Sequence, residues 1–167
     1  MRMFEIGDVV IYSEHGLCKI DDICKKDLFG ETRLYYVLHP IGEQTLKIST
    51  PVDGKKKRLM RTMNRKEAEE LMDVFGSRGI DWVENPKQRA RAYQSLVQSG
   101  DRQKIAEVTG ALMDKKLNTD QKIYDQDRKL LNHVQTILFR ELSMALGISV
   151  EDVANQVEER ILAATPQ

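Results

Sequence analysis

Between Phe4 and Met63 the apolar positions come in short runs: Val9-Val10-Ile11-Tyr12, Leu17 to Ile23, Leu34-Tyr35-Tyr36-Val37-Leu38, and Thr45 to Thr50. They are rich in β-branched and aromatic residues, which suit a pleated, half-buried surface. Between them lie Gly7-Asp8, His15-Gly16, Phe29-Gly30-Glu31, Ile41-Gly42-Glu43 and Asp53-Gly54, residue types that accept the backbone of tight turns. With Lys57 to Met63 as a last short strand, the pattern predicts about five strands forming a meander that closes into a small barrel.

After Met63 the period changes from about two to about 3.6. Asn64 followed by Glu67 resembles a capping box, and Ala68, Leu71, Met72 and Phe75 form the stripe of a first helix. Residues 76–85 break it, and Asn85-Pro86 supplies an N-cap and a first-turn proline for a second helix with Tyr93, Leu96 and Val97 inward. Ser99-Gly100-Asp101 ends that helix and caps a third, with Ile105, Val108, Leu112 and Met113 on one side. A fourth is expected from about Asp120 to Leu146 through Ile123, Leu130, Leu131, Val134, Leu138, Leu142 and Ala145, stopped by Gly147. Ser149 and Asp152 then open a fifth carrying Val150, Val153, Val157 and Ile161. The expected fold is therefore α+β: a small five-stranded barrel over 1–63, followed by an all-α bundle of about five helices over 64–167.

Composition adds little until the charges are mapped. The 167 residues carry 26 Lys and Arg against 26 Asp and Glu, so the protein does not coat nucleic acid with its whole surface. Residues 85–104, however, contain Lys87, Arg89, Arg91, Arg102 and Lys104 against Asp101 alone, whereas residues 141–167 contain Glu141, Glu151, Asp152, Glu158 and Glu159 against Arg160 alone. Cations at the start of the second helix oppose its dipole, so they call for an anion. A phosphate is one; a solvated mixed face is the alternative. Just before them stands Trp82, the single tryptophan, in a connecting segment. An indole beside Lys and Arg has the chemistry of a minor-groove wedge, and it equally suits a core or lid residue.

Other chemistry is sparse. Cys18 and Cys24 are too few for a disulfide framework and too far apart for a zinc knuckle, and His39 and His133 lack partners at ligand spacing, so no metal or cofactor is expected. Gly54-Lys55-Lys56-Lys57-Arg58 lacks the rest of a phosphate loop and reads as a nucleic-acid patch or as charges protecting a strand edge. No nucleophile elbow or apolar carboxylate pair points to an enzyme or a small-molecule substrate. No apolar run spans a bilayer and no leader pattern opens the chain, so a cytoplasmic protein is expected. Residues 141–161 read as a helix-turn-helix, but its second helix would bring Glu151, Asp152, Glu158 and Glu159 toward phosphates.

Phe4 to Tyr12, His15-Gly16, the Gly30 turn, Tyr35 to Leu38, Pro51-Val52 and Arg61 together resemble the N-terminal module of the CarD/CdnL family of bacterial transcription regulators, also found in the transcription-repair coupling factor. The similarity continues through Trp82, Arg89, Ser99-Gly100-Asp101 and the long fourth helix. The resemblance implies that the barrel is Tudor/SH3-like and binds the RNA polymerase β subunit through Lys26 and the strand Lys47, Ile48, Ser49, Thr50 and Pro51. It also implies a helical domain that contacts promoter DNA near the upstream edge of the −10 element, with Trp82 as wedge and Lys87, Arg89, Arg91, Arg102 and Lys104 as the basic surface, stabilising the open complex. Two other classes stand beside it: a stand-alone repressor reading DNA with residues 141–161, and a protein-only adaptor without DNA contact.

Overall fold

The computed structural model describes residues 3–12, 15–53, 59–77, 79–118 and 123–164. The basic run 55–58 and the first residues expected of the fourth helix, 120–122, lie outside them. The chain divides into two compact units, 1–62 and 63–167.

The first unit is a five-stranded antiparallel sheet in the order β4-β3-β2-β1-β5, with β1 Val9–Tyr12, β2 Gly16–Leu28, β3 Glu31–Pro40, β4 Ile48–Pro51 and β5 Leu59–Arg61. Its core is Phe4, Val10, Tyr12, Cys18, Ile20, Tyr36 and Leu38. β2 and β3 run well past the apolar segments that announced them. Their outer halves form a hairpin whose side chains are mostly exposed, so no alternation marks them in the sequence. Phe29 and Gly30 turn the hairpin, both with positive φ (55° and 78°), the backbone of a two-residue turn matched to strand twist. The register between β2 and β3 slips between Ile20 and Asp22, which leaves Asp21 as an extra residue that bends β2.

The second unit contains α1 Arg65–Val74, α2 Pro86–Gln98, α3 Arg102–Asn118, α4 Asp125–Leu146 and α5 Val150–Ala164. Their ends follow side-chain chemistry. Asn64 and Glu67 form a reciprocal capping box, Asn85 accepts from Lys87 and Gln88, and Gly147 closes α4 at φ 70°. α3 is the central helix, packed against α1, α2, α4 and α5. Ala106 and Thr109 are consequently buried along with the expected Val108, Leu112 and Met113. One expected core residue is displaced: Val150, the first residue of α5, has no preceding turn to pack on and is exposed, while Val153, Val157 and Ile161 are buried. Among the described residues no helix is long and apolar enough to cross a membrane.

Candidate functional site

Trp82 lies in the segment joining α1 to α2, and the first turns of α2 fix its surroundings. Asn85 Oδ1 accepts the N–H groups of Lys87 and Gln88, both at 3.0 Å, which sets the phase of the helix. That phase turns Arg89 and Tyr93, one turn apart, toward the core. Arg89 Nε donates to Asp127 Oδ1 at 3.1 Å and Oδ2 at 3.2 Å, and Nη2 donates to Oδ2 at 2.6 Å. Its Nη1 donates to the carbonyls of Val83 (2.8 Å) and Glu84 (3.2 Å). One guanidinium thus ties the linking segment to α4, and the Asp127 hydrogen bonds hold it protonated above its already high range.

The indole rests on this frame. The Arg89 guanidinium carbon is 4.4 Å from the Trp82 ring centroid, and Tyr93 meets the ring edge-on at 6.0 Å. Tyr93 also donates its hydroxyl to the Asp81 carbonyl at 3.2 Å. Lys115 Nζ, from the last turn of α3, is 5.0 Å from the same ring. Trp82 is half-buried: it packs against the helical core without being enclosed by it. Such a ring is pre-oriented, so it loses little freedom on contact with a partner surface.

The cations expected to form one basic surface separate into two kinds. Lys87 and Arg91 are exposed and four residues apart, hence on one face of α2. Arg89 is turned inward, only 3% exposed, and the anion it calls for is Asp127 of the same chain, not a phosphate. Arg102 is likewise turned in, with Nη2 2.7 Å from Glu141. The basic stretch 85–104 and the acidic stretch 141–167, far apart in sequence, meet there. Lys104 remains exposed, 3.4 Å from Glu107 across one helical turn. Glu141 also accepts the Met63 N–H at 3.2 Å, and burial pushes its carboxyl above the usual range despite Arg102.

In the sheet, β4 pairs with β3 alone among the described strands. Val52 donates to the Leu34 carbonyl at 3.0 Å, so by antiparallel alternation Thr50 and Ile48 share hydrogen bonds with β3 while Ser49 and Pro51 turn their main-chain groups to the open side. The side chain of Thr50 is buried and that of Ile48 partly so; Ser49 is exposed. Lys26 Nζ donates to Ser49 Oγ at 2.7 Å. Lys47 Nζ lies 2.9 Å and His39 Nδ1 2.7 Å from Asp21, the bulge residue. The His39 and Lys47 hydrogen bonds hold the Asp21 carboxyl below its usual range. Of the six residues expected at this rim, Lys26, Lys47, Ser49 and Pro51 therefore present outward-facing groups.

Elsewhere residues 141–161, the helix-turn-helix of the alternative reading, form a tight hairpin whose second helix exposes Glu151, Asp152, Glu158 and Glu159, while Arg160 pairs with Asp73 at 3.1 Å. Burial pushes the free thiol of Cys18 up to about 11, where it is inert at neutral pH. No group of three His, Cys, Asp or Glu among the described residues is placed to hold a metal ion.

Two residues of the site, Asp127 and Lys115, escape a reading of charge along the chain. Asp127 stands on the apolar stripe of α4, four residues before Leu131 and seven before Val134, all buried. A carboxylate at a core position of a helix is the signal that a buried cation must come to meet it. Lys115 carries no such signal, because only the packing of α3 brings it to Trp82.

Comparison with known proteins agrees with this two-part organisation. Residues 4–63 match the family model described as the CarD-like/TRCF RID domain, and residues 70–158 match that of the CarD C-terminal domain. The chain is 26% identical over 157 residues to YdeB of Bacillus subtilis (strain 168), which carries a provisional transcription-factor name; the match covers 90% of this chain and 97% of that protein. With both modules matched in order, the chain belongs to the CarD family of transcription regulators.

Proposed function

We propose that the sheet unit docks on the RNA polymerase β subunit through the open side of β4. The helical unit then lays Trp82, with Lys87, Arg91, Lys104 and Lys115, against promoter DNA at the upstream edge of the −10 element. The observation that carries the reading is the state of Trp82: a half-buried ring oriented by Arg89 and Tyr93, with a second cation at 5.0 Å and two exposed cations on the adjoining helix. Arg89 and Arg102 act in it as positioning residues. Such a surface makes few phosphate contacts, so binding to free DNA is weak and falls with salt. Docking on polymerase compensates by raising the local concentration to about millimolar. Stacking the indole on an unpaired base contributes ~1–3 kcal/mol. Where that contact forms only after strand separation, it shifts the closed-to-open equilibrium by about five- to a hundredfold.

A partner strand adding to β4 would use the outward N–H of Ser49 and the carbonyls beside it. Ser49→Pro removes that donor at a position that does not bond β3, so the sheet tolerates it. Affinity isolation from bacterial extract is expected to recover the polymerase core with the wild-type chain and to lose it with Ser49→Pro at unchanged melting temperature. Equal recovery by the variant, or none by the wild type, contradicts the docking.

A further inference from the structure

The helical unit contains a cavity of about 640 Å³ bounded by the end of α1, the 79–82 segment, one face of α3 and the end of α5. Its origin is legible in α3. The residues turned toward it include Ala106, Gly110 and Ala111, which leave volume that larger apolar side chains would fill. A Cβ added at Gly110 would stand 3.6 Å from the Phe75 ring, so the glycine is not demanded by crowding. The walls combine Phe75, Ile80, Trp82 and Ile161 with the carboxylates of Asp81, Glu107 and Asp114, against Lys115 as the one described cation among the lining residues. Asp114 already accepts from Asn118 at 2.6 Å. Glu107 Oε2 is shielded from solvent and receives no hydrogen bond among the described residues, although Lys104 Nζ stands 3.4 Å away. Glu107 Oε2 is thus ion-paired but not hydrogen-bonded, and a well-aligned cationic N–H supplied by a ligand would complete it.

We infer that this cavity binds a small organic cation, with a flat apolar body lying between Phe75 and Trp82 and an ammonium or guanidinium end donating to Glu107. The volume is that of small-molecule sites, the apolar walls supply the burial, and the excess of carboxylate sets the sign of the charge. The inference goes beyond the DNA and polymerase reading and does not depend on it, since it concerns the free chain. It does place the ligand against the inner side of the indole on which that reading turns.

Trp82 is the single tryptophan, so intrinsic fluorescence of the full chain reads the cavity directly. Titration with 4-phenylbutylamine is expected to give a saturable change with a Kd of about 1 mM, the affinity its size supports. The equally apolar anion 4-phenylbutyrate is expected to bind at least about tenfold more weakly. Ala111→Leu, which occupies the space, is expected to abolish the response while the melting temperature holds or rises. Glu107→Gln, isosteric and less demanding on the fold, is expected to weaken the amine about tenfold and to strengthen the carboxylate, so that the two probes converge. No saturation by ~20 mM amine, equal binding of the two probes by the wild-type chain, or an unaltered response in Glu107→Gln overturns the inference.

Discussion

Replacing Arg89 with Met leaves Asp127, itself only 2% exposed, as a buried carboxylate stripped of three hydrogen bonds from one guanidinium. Breaking a buried pair from one side costs ~3–5 kcal/mol, because the remaining charge can neither be solvated nor paired. The carbonyls of Val83 and Glu84 lose their donor as well, which loosens the segment that carries Trp82. For a unit of this size each kcal/mol is worth about 4 °C, so the melting temperature should fall by roughly 12–20 °C. The assay is thermal and urea unfolding of the full chain followed by Trp82 fluorescence, which reports the helical unit because no tryptophan lies elsewhere. Lys87→Ala and Arg91→Ala, on the exposed face of the same helix, are the controls and should stay within about 0.5 kcal/mol of wild type. Arg89→Met combined with Asp127→Leu removes both charges and should recover most of the loss. An Arg89→Met cost below about 1 kcal/mol, or a cost no greater than that of Arg91→Ala, would refute the buried-pair reasoning and return Arg89 to the phosphate-facing set.

Two further outcomes concern stability. The Glu141 carboxyl titrates above its ordinary 4.5 because burial disfavours its charge. The folded state therefore binds this proton more tightly than the unfolded state, and the associated stability is present below 4.5 and lost as pH rises through the folded value. Glu141→Gln should flatten the pH dependence of helical-unit stability across that window, and urea midpoints that keep the wild-type slope would contradict the assignment. Phe29 holds φ 55° in the hairpin turn and is fully exposed, so Phe29→Asn should raise the stability of the sheet unit by ~1 kcal/mol; a lowered midpoint in far-ultraviolet dichroism would show that the phenyl ring contributes more than its backbone costs.

The regular architecture was readable because its causes are local. Asn64 with Glu67, Asn85 with Pro86, and Gly147 mark helix ends by chemistry that acts within four residues. Leu131, Val134, Leu138 and Leu142 mark a buried face by spacing alone. The outer half of the β2–β3 hairpin was not readable, since its residues face solvent on both sides and leave no period. The basic surface was half readable. The four-residue spacing of Lys87 and Arg91 suffices to place them on one face, but whether Arg89 and Arg102 point outward depends on Asp127 and Glu141, which lie 38 and 39 residues away in the chain. Charge counted along a sequence does not distinguish a cation awaiting a phosphate from one already paired in the core.

The central claim, that an oriented indole holds separated promoter strands while the sheet holds polymerase, is tested most directly by the lifetime of heparin-challenged open complexes with wild-type chain and with Trp82→Ala. Retained polymerase binding with a lifetime shortened about five- to a hundredfold is the predicted result. An unchanged lifetime at equal polymerase occupancy would contradict it.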